Sequence, residues 1–425
     1  MRPPERAAIS TRSTGAWVTY DLANTIFALG VVSLYFPDYM LSLGQPDGYL
    51  ALVVAVAGIL VIFLAPWAGA HSDARGRRLP TLRVTTLVAV TATAGLAVSG
   101  ALFSFILLGV ALVGFNVGSV VYDAMLPDVS TSVTQGRISG LGIGVGYFGS
   151  FIGLGIGVLT LEILGWSYAA TFRALAAGFL LFSLPAFFMI VEPHRPPRRA
   201  PAMRTVISRL AVSWRLATTF PDVVRFLIGR FLYTDAINTL IGGFLTLYVI
   251  DELGFNRNEM TGLLAVAIAT AVVGGIGAGP FIDRWGPKRV LRSVLGVWAL
   301  GLVLVISAAL TETLFLAWAI GPLGGAALGA TWASDRVLMS RVSPPLHLGE
   351  FYGLYATVGR FATIVGPLVW GLIVNVLGWG RNAAMGALIL FVVGGWIVVG
   401  GVDDGPRTWP DNLRDVNENR ASPPS

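Results

Sequence analysis

The chain has no cysteine and only three histidines and one lysine among its 425 residues. Without cysteine it can hold no disulfide framework, thiolate metal site or cysteine nucleophile. His71, His194 and His347 lie scattered in polar stretches with no metal-ligand spacing, so no metal is expected. Nothing matches a phosphate-cradling glycine loop, which argues against ATP hydrolysis, and no cofactor is implied. No cluster of nucleophile, acid and base suggests an enzyme. Charge is scarce as well: 12% of residues, where soluble domains carry about 25%. The stretch Met1–Thr14 lacks the short apolar core and small-residue cleavage site of a secretory signal, so the first apolar run is expected to be retained.

What the chain has in abundance is apolar side chain, 55% of its residues. That suffices for about twelve runs of about 20 residues, the length that crosses a bilayer. So much apolar surface cannot be hidden behind so few charges in water. The expectation is an all-α integral membrane protein. Polar breaks place twelve spans near 15–37, 48–70, 80–101, 105–126, 138–160 and 168–191, then 224–250, 259–281, 291–310, 314–338, 351–376 and 383–402. Two six-helix bundles (15–191 and 223–402) are thus expected around a central loop, 192–222. An N-terminus (1–14) and a polar tail (403–425) flank them. Putting both termini inside assigns 22 of the 29 basic residues to cytoplasmic segments and two, Arg257 and Arg381, to outer loops. Basic residues collect on the cytoplasmic side, so N-in and C-in follows. Topology also explains the net charge of +6 without nucleic acid.

The two bundles repeat one another. Gly69, Asp73, Gly76, Arg77 and Arg78 follow the second span, and Gly279, Asp283, Gly286, Lys288 and Arg289 follow the eighth, displaced by 210. Asp21-Leu-Ala-Asn24-Thr25 matches Asp235-Ala-Ile-Asn238-Thr239 at 214, Asp123 matches Asp335 at 212, and Gly136 matches Gly349 at 213. Four correspondences in chain order at nearly one offset indicate duplication.

The Gly-x-x-x-Asp-x-x-Gly-Arg-Arg loop, echoed in the second half, resembles the signature of the major facilitator superfamily. Trp17-Val-Thr-Tyr20-Asp21, Tyr122-Asp123-Ala-Met-Leu-Pro127-Asp128, Gly136-Arg137-Ile-Ser139-Gly140 and Phe351-Tyr-Gly353-Leu-Tyr355 are similar to its Atg22-like, or UMF1, branch. The resemblance implies the major facilitator fold and solute transport, amino acids among the candidate solutes. Two departures stand out. Span four lacks the intramembrane arginine, and span five the proline, of the drug/proton antiporters. Pro287 also replaces the first arginine of the second loop motif, which predicts a looser latch there.

A charge within a span costs about 2.5–3.5 kcal/mol on insertion scales, so each needs a partner or a task. Asp21, Asn24 and Thr25 share one helical face, and Asp235, Asn238 and Thr239 repeat it. The resemblance puts both helices on the central cavity, so these faces are candidates for solute hydrogen bonding, with either aspartate a candidate proton carrier. The alternative is that each ties neighbouring helices together. Arg360 falls near mid-span, where the first half has the neutral Tyr147. Its guanidinium can fork onto a solute carboxylate, or pair with Asp235 or Asp21 when the site is empty. A permanent interhelical ion pair is the competing reading.

By resemblance, Asp73, Arg77 and Arg78 latch the cytoplasmic side by pairing with Asp123 or Asp128. Asp283, Lys288 and Arg289 with Asp335, beside Arg336, form the parallel gate. The expected function is a secondary transporter of a small polar or zwitterionic solute, with the proton as candidate coupling ion and membrane lipid as surroundings. A monomer in the bacterial cytoplasmic membrane is expected. A lipid translocase and a non-transporting sensor on the same fold are the alternatives.

Overall fold

The computed structural model describes residues 10–405 together with Arg407, Trp409, Pro410 and Leu413. Most of the N-terminal segment 1–14 and of the tail 403–425 lies outside the described residues. The long helices, in chain order, are α1 Thr11–Ser42, α2 Tyr49–Ala74, α3 Leu79–Ala94, α4 Ala101–Ala124, α5 Gln135–Ile163 and α6 Tyr168–Met189. After the central loop come α7 (221–251), α8 Arg257–Trp285, α9 Pro287–Thr311, α10 Phe315–Val342, α11 Pro345–Val376 and α12 Gly380–Gly400. Among the described residues, ten helices are long and apolar enough to cross a membrane. The two that fall short, α3 and α7, have different reasons. α3 is a short apolar helix that ends at Ala94, because the chain turns at 95–100 with Ala97 and Gly100 at positive φ. The break is thus several residues earlier than the pattern suggested. α7 carries Asp222, Arg225, Arg230 and Asp235, which lower its apolarity over the whole length.

Side-chain packing follows the duplication. In the first half α1 packs on α5 and α6, α4 on α2 and α3, and α3 on α6. In the second half α7 packs on α11 and α12, α10 on α8 and α9, and α9 on α12, which is the same set of pairs. The backbone repeats too. A π-helical stretch starts at Ile26 in α1 and at Leu240 in α7, each directly after the threonine of the polar face. A second pair starts at Val158 in α5 and Leu372 in α11. Both pairs are displaced by 214. Such stretches widen the helix by one residue per turn and recur at functional sites.

The halves join along α2–α11 and α5–α8, two contacts related by the duplication. Glycine makes both possible. A Cβ at Gly69 would overlap the Gly349 carbonyl, and one at Gly136 would stand 2.6 Å from the Gly279 carbonyl oxygen. These crossings lie at the arginine-rich end of the bundle. Interhalf contact extends inward through the Thr357 hydroxyl on the Ile62 carbonyl (3.0 Å) and Gly144 beside Val272 to Tyr147 against Trp332. Beyond that level the π segments pack principally on helices of their own half. The bundle is joined at its arginine-rich end.

The central loop contains a helix, Val206–Thr218, lying against α2, α7 and α11. Ile207, Leu210, Ala211 and Trp214 fall at helical spacing on one side of it, and Arg204, Ser208, Arg209 and Val212 face elsewhere. Amphipathic patterning of this kind suits a helix at a membrane surface.

Candidate functional site

At 1.5 Å of rise per residue, Asp235 and Arg360 stand about 21 and about 18 Å from the arginine-rich ends of their helices, close to the middle of a hydrocarbon core about 30 Å thick. Arg336 and Asp335 stand about 9–10 Å from the same end of α10. The charged side chains therefore fall on two levels.

On the lower level, Arg336 bridges two acids of the other half. Its guanidinium makes 2.9 Å ion pairs with Asp21 on α1 and with Asp123 on α4. Trp17 and Tyr122 stack on each other at 4.5 Å and face the guanidinium at 5.1 and 5.4 Å. The Trp17 indole donates to the Tyr122 carbonyl, and the Tyr122 hydroxyl donates back to the Trp17 carbonyl. Tyr352 of α11 donates to the Arg336 carbonyl at 2.7 Å. One residue earlier, Asp335 belongs to a different network. It pairs with Arg230 of α7 and accepts from Tyr233 (3.2 Å) and Tyr355 (2.6 Å). The Arg230 guanidinium lies 3.5 Å from the Tyr355 ring centre. Successive residues of a helix point about 100° apart, so α10 serves the interface with Arg336 and its own half with Asp335.

These networks correct several expectations. Asp123 belongs to Arg336 rather than to the loop motif, and Asp335 is held by Arg230 rather than by Asp283, Lys288 or Arg289. Arg336 sits inside the bundle and joins Asp21 to Asp123 across the halves. Asp21 is therefore taken, and Arg360 does not pair with it. No hydrogen bond links the Asp21 face to the Asp235 face. Arg230 and Tyr233 were not singled out by their sequence pattern, and Trp17, Tyr122 and Tyr355 entered only as carriers of the family resemblance, with no role assigned. The available signal was Arg230 itself, an intramembrane charge nine residues into α7 with no counterpart in α1.

On the upper level the charges are single. The Asp235 carboxylate is fully buried and faces the backbone of Val365 and Gly366, but neither oxygen makes a hydrogen bond of ordinary geometry. α11 is open at this point. The helix stops at Phe361, turns through 362–364 and resumes at Val365. A Cβ at Gly366 would stand 2.7 Å from the Asp235 carboxylate. Asn238 donates to Ala362 at 3.4 Å, and Thr239 donates to the Asp235 carbonyl at 2.7 Å. Arg360, one residue before the opening turn, has no acid in ion-pair distance among the described residues and is half-buried. It does not pair with Asp235. On α1 the Asn24 carbonyl oxygen is buried without a partner, and Thr25 donates to the Asp21 carbonyl. Tyr147 of α5 meets the Trp332 indole of α10. An unpaired cation, an unpaired carboxylate and an unsatisfied amide oxygen at one depth amount to unmet demand for a polar ligand, since buried polar groups are otherwise hydrogen-bonded.

The loop motifs close the arginine-rich end from the surface. Asp73 accepts from Arg78 at 2.8 Å and, across the interface, from the Glu350 backbone amide at 3.0 Å. Arg78 also reaches Asp128 and the Ala124 carbonyl, and Asp128 is shared with Arg195 of the central loop. In the duplicated position Asp283 accepts from the Gly136 and Arg137 amides at 2.6 and 3.1 Å. Each motif aspartate thus caps the first turn of an opposing helix, whose free amides and positive dipole end favour an anion. The second latch takes its cations from elsewhere than its own loop: Arg137 pairs with Asp283 at 3.6 Å, and Arg341 of α10 lies in electrostatic range of it. Lys288 donates its ammonium to the Val402 carbonyl and its backbone amide to Asp404, just after α12. Arg77 and Arg289 are exposed and make no ion pair among the described residues.

Residues 49–404 match the family described as vacuole effluxer Atg22 like. The chain is 26% identical over 404 residues to YxiO, an MFS-type transporter of Bacillus subtilis, covering 90% of this chain and 93% of YxiO. It is 26% identical over 289 residues to autophagy-related protein 22 of Neurospora crassa, covering 60% of this chain and 39% of that one. Its backbone superposes on the human organic anion transporter MFSD10 with a TM-score of 0.73 at 16% identity, over 94% of this chain and all of that one.

Proposed function

The chain belongs to the Atg22-like family of major facilitator proteins, multi-pass secondary transporters, and on that premise we propose that it carries a small polar or zwitterionic solute of the amino-acid class. The observation that carries the reading is the pairing of opposite unmet charges, Arg360 on α11 and Asp235 on α7, near mid-span. A guanidinium fork suits a carboxylate and a lone carboxylate suits an ammonium group. One solute bearing both satisfies the two at once. Asn238, Thr239, Asn24 and Tyr147 supply hydrogen-bonding groups beside them.

The rest of the architecture supplies the cycle. Two pseudosymmetric six-helix halves, 15–191 and 223–402, hold the site between them, the build of transporters that rock about a central site. With the arginine-rich end in the cytoplasm, both termini are inside and the chain crosses the cytoplasmic membrane twelve times. The conformation is then closed to the inside and faces outward. The Arg336 bridge and the Asp73 and Asp283 caps lie between the site and the cytoplasm, and all cross the halves. They must break for the inward-facing state to form. Asp21 and Asp123 share one guanidinium, so the trio carries one excess negative charge that a single proton neutralises while Arg336 is in place, and withdrawal of Arg336 raises the pair's demand for protons further. That makes it the candidate site of proton coupling.

The test is counterflow of radiolabelled amino acids into proteoliposomes preloaded with the unlabelled compound. Wild type is expected to accumulate label for a subset of amino acids, and Arg360→Ala to lose it. Equal counterflow by both proteins rules out Arg360 as the carboxylate site.

A further inference from the structure

Two cavities flank the Val206–Thr218 helix at the arginine-rich end, outside the interface between halves. The first, about 600 Å³, lies between this helix, α7 and α11 and is almost wholly apolar. Leu210, Trp214, Leu227, Phe231, Leu354 and Phe361 line it along its length. It runs from the bundle's end to the opening of α11. The second, about 360 Å³, lies along the adjoining side of the same helix and is lined by Arg199, Arg204, Ser208 and Arg209. Arg199 and Arg204 are exposed and make no ion pair among the described residues. Arg209 gives one nitrogen to Glu350 at 2.6 Å, yet its Nε is buried without a partner.

From this juxtaposition of an apolar slot with a basic cradle, we propose that the central-loop helix forms a binding site for an anionic phospholipid. One acyl chain lies in the slot beside Trp214, and the headgroup phosphate lies between Arg199, Arg204 and Arg209. Two observations favour a lipid over a free anion or a peptide. The two compartments differ sharply in polarity and share one amphipathic helix, which matches the division between tail and headgroup. Ile207 and Ile228, also on the slot, are 75% and 47% exposed, so the slot opens sideways toward hydrocarbon. Arginine chelates a phosphate with several donors in fixed geometry. Basic clusters beside a span at the inner surface attract anionic headgroups.

The site adjoins the latch of the arginine-rich end. Glu350, held by Arg209 and by Ser213 at 2.5 Å, donates its own amide to the Asp73 cap. A lipid seated on Arg209 Nε leaves the Glu350 pair in place and braces the helix against α7 and α11. It therefore stabilises this closed arrangement, as any ligand does that binds one state more tightly than another.

The test is native mass spectrometry and thermal unfolding of the full-length, delipidated protein in detergent. It is titrated with dioleoyl phosphatidylglycerol, dioleoyl phosphatidylcholine or inorganic phosphate. Phosphatidylglycerol is expected to bind and raise the melting temperature in wild type, at least tenfold more tightly than phosphatidylcholine. Arg199→Gln combined with Arg204→Gln is expected to abolish that preference. Ala211→Phe, which shortens the slot without touching the arginines, is expected to weaken both lipids. Equal binding of the two lipids, or unchanged preference in the arginine double variant, overturns the proposal. Full stabilisation by inorganic phosphate alone assigns the cradle to a free anion and overturns it as well.

Discussion

α1 and α7 carry the same polar face, Asp-x-x-Asn-Thr, and the fold puts the two to different ends. On α1 the aspartate is engaged: Arg336 of the opposite half holds it, and through Arg336 it joins Asp123. On α7 the aspartate has no cation: it lies against the interrupted stretch of α11, facing the Val365 and Gly366 amides without a hydrogen bond of ordinary geometry. The difference comes from the cations. α10 offers Arg336 where the first half has Ala124, and α11 offers Arg360 where it has Tyr147. Duplication supplied one scaffold twice, and single arginines then split its roles. One face fastens the halves together, while the other keeps its charge available.

This contrast can be broken most severely at Arg336. Arg336→Ala leaves Asp21 and Asp123 buried without their cation, and stranding a buried charge costs about 3–5 kcal/mol. Thermal unfolding in detergent is expected to show a large loss, with exposure of the arginine-rich end. Removing Arg360 strands no partner. Arg360→Ala is expected to leave the melting temperature near wild type but to weaken solute binding by about 2–5 kcal/mol, as loss of one member of a desolvated ion pair does. Isothermal titration with the transported solute reads this out.

Smaller effects sharpen the comparison. A methyl group at Gly69 meets the Gly349 carbonyl, and overpacking of this kind costs about 1–3 kcal/mol. The cost falls only on the closed end, so Gly69→Ala is expected to shift the population toward opening there. The chain's lack of cysteine makes this measurable. A single cysteine introduced at Ser139, buried against the Ala333 carbonyl, is expected to gain reactivity toward a water-soluble maleimide in the alanine variant. The smallest effect is expected at Asp235→Asn. It keeps an acceptor oxygen facing the Val365 and Gly366 amides in a group of the same shape and strands no ion-pair partner, so stability is expected to change by less than about 1 kcal/mol.

Much of this was legible in the residues. Apolar run length and the skew of arginine gave the helices and a rule for their orientation, because bilayer thickness and insertion act on local composition. Displaced motifs revealed the duplication. The polar faces of α1 and α7 could be read from helical spacing alone. Partner choice could not. Whether Asp21 meets Arg360 or Arg336 depends on how α10 is rotated and how deep it sits, which tertiary packing sets. The same holds for Asp335, which the resemblance put in the gate with Asp283, Lys288 and Arg289 and which packing gave to Arg230 and two tyrosines. The turn in α11 did carry a signal that went unread: Pro367 has no amide for the Thr363 carbonyl and its ring crowds it, so the helix breaks just before Gly366-Pro367. The last turn of α3 failed for a local reason, a chain reversal at Ala97 and Gly100 that apolar composition concealed.

The division of labour between the two faces is tested most directly by unfolding Asp21→Asn and Asp235→Asn side by side, each with and without the solute that wild type takes up in the counterflow assay. The account predicts that Asp21→Asn melts lower yet is still stabilised by the solute. Asp235→Asn should melt like wild type and gain nothing from the solute. The reverse pattern, with solute stabilisation lost in Asp21→Asn and kept in Asp235→Asn, would place the solute on α1 and contradict the account.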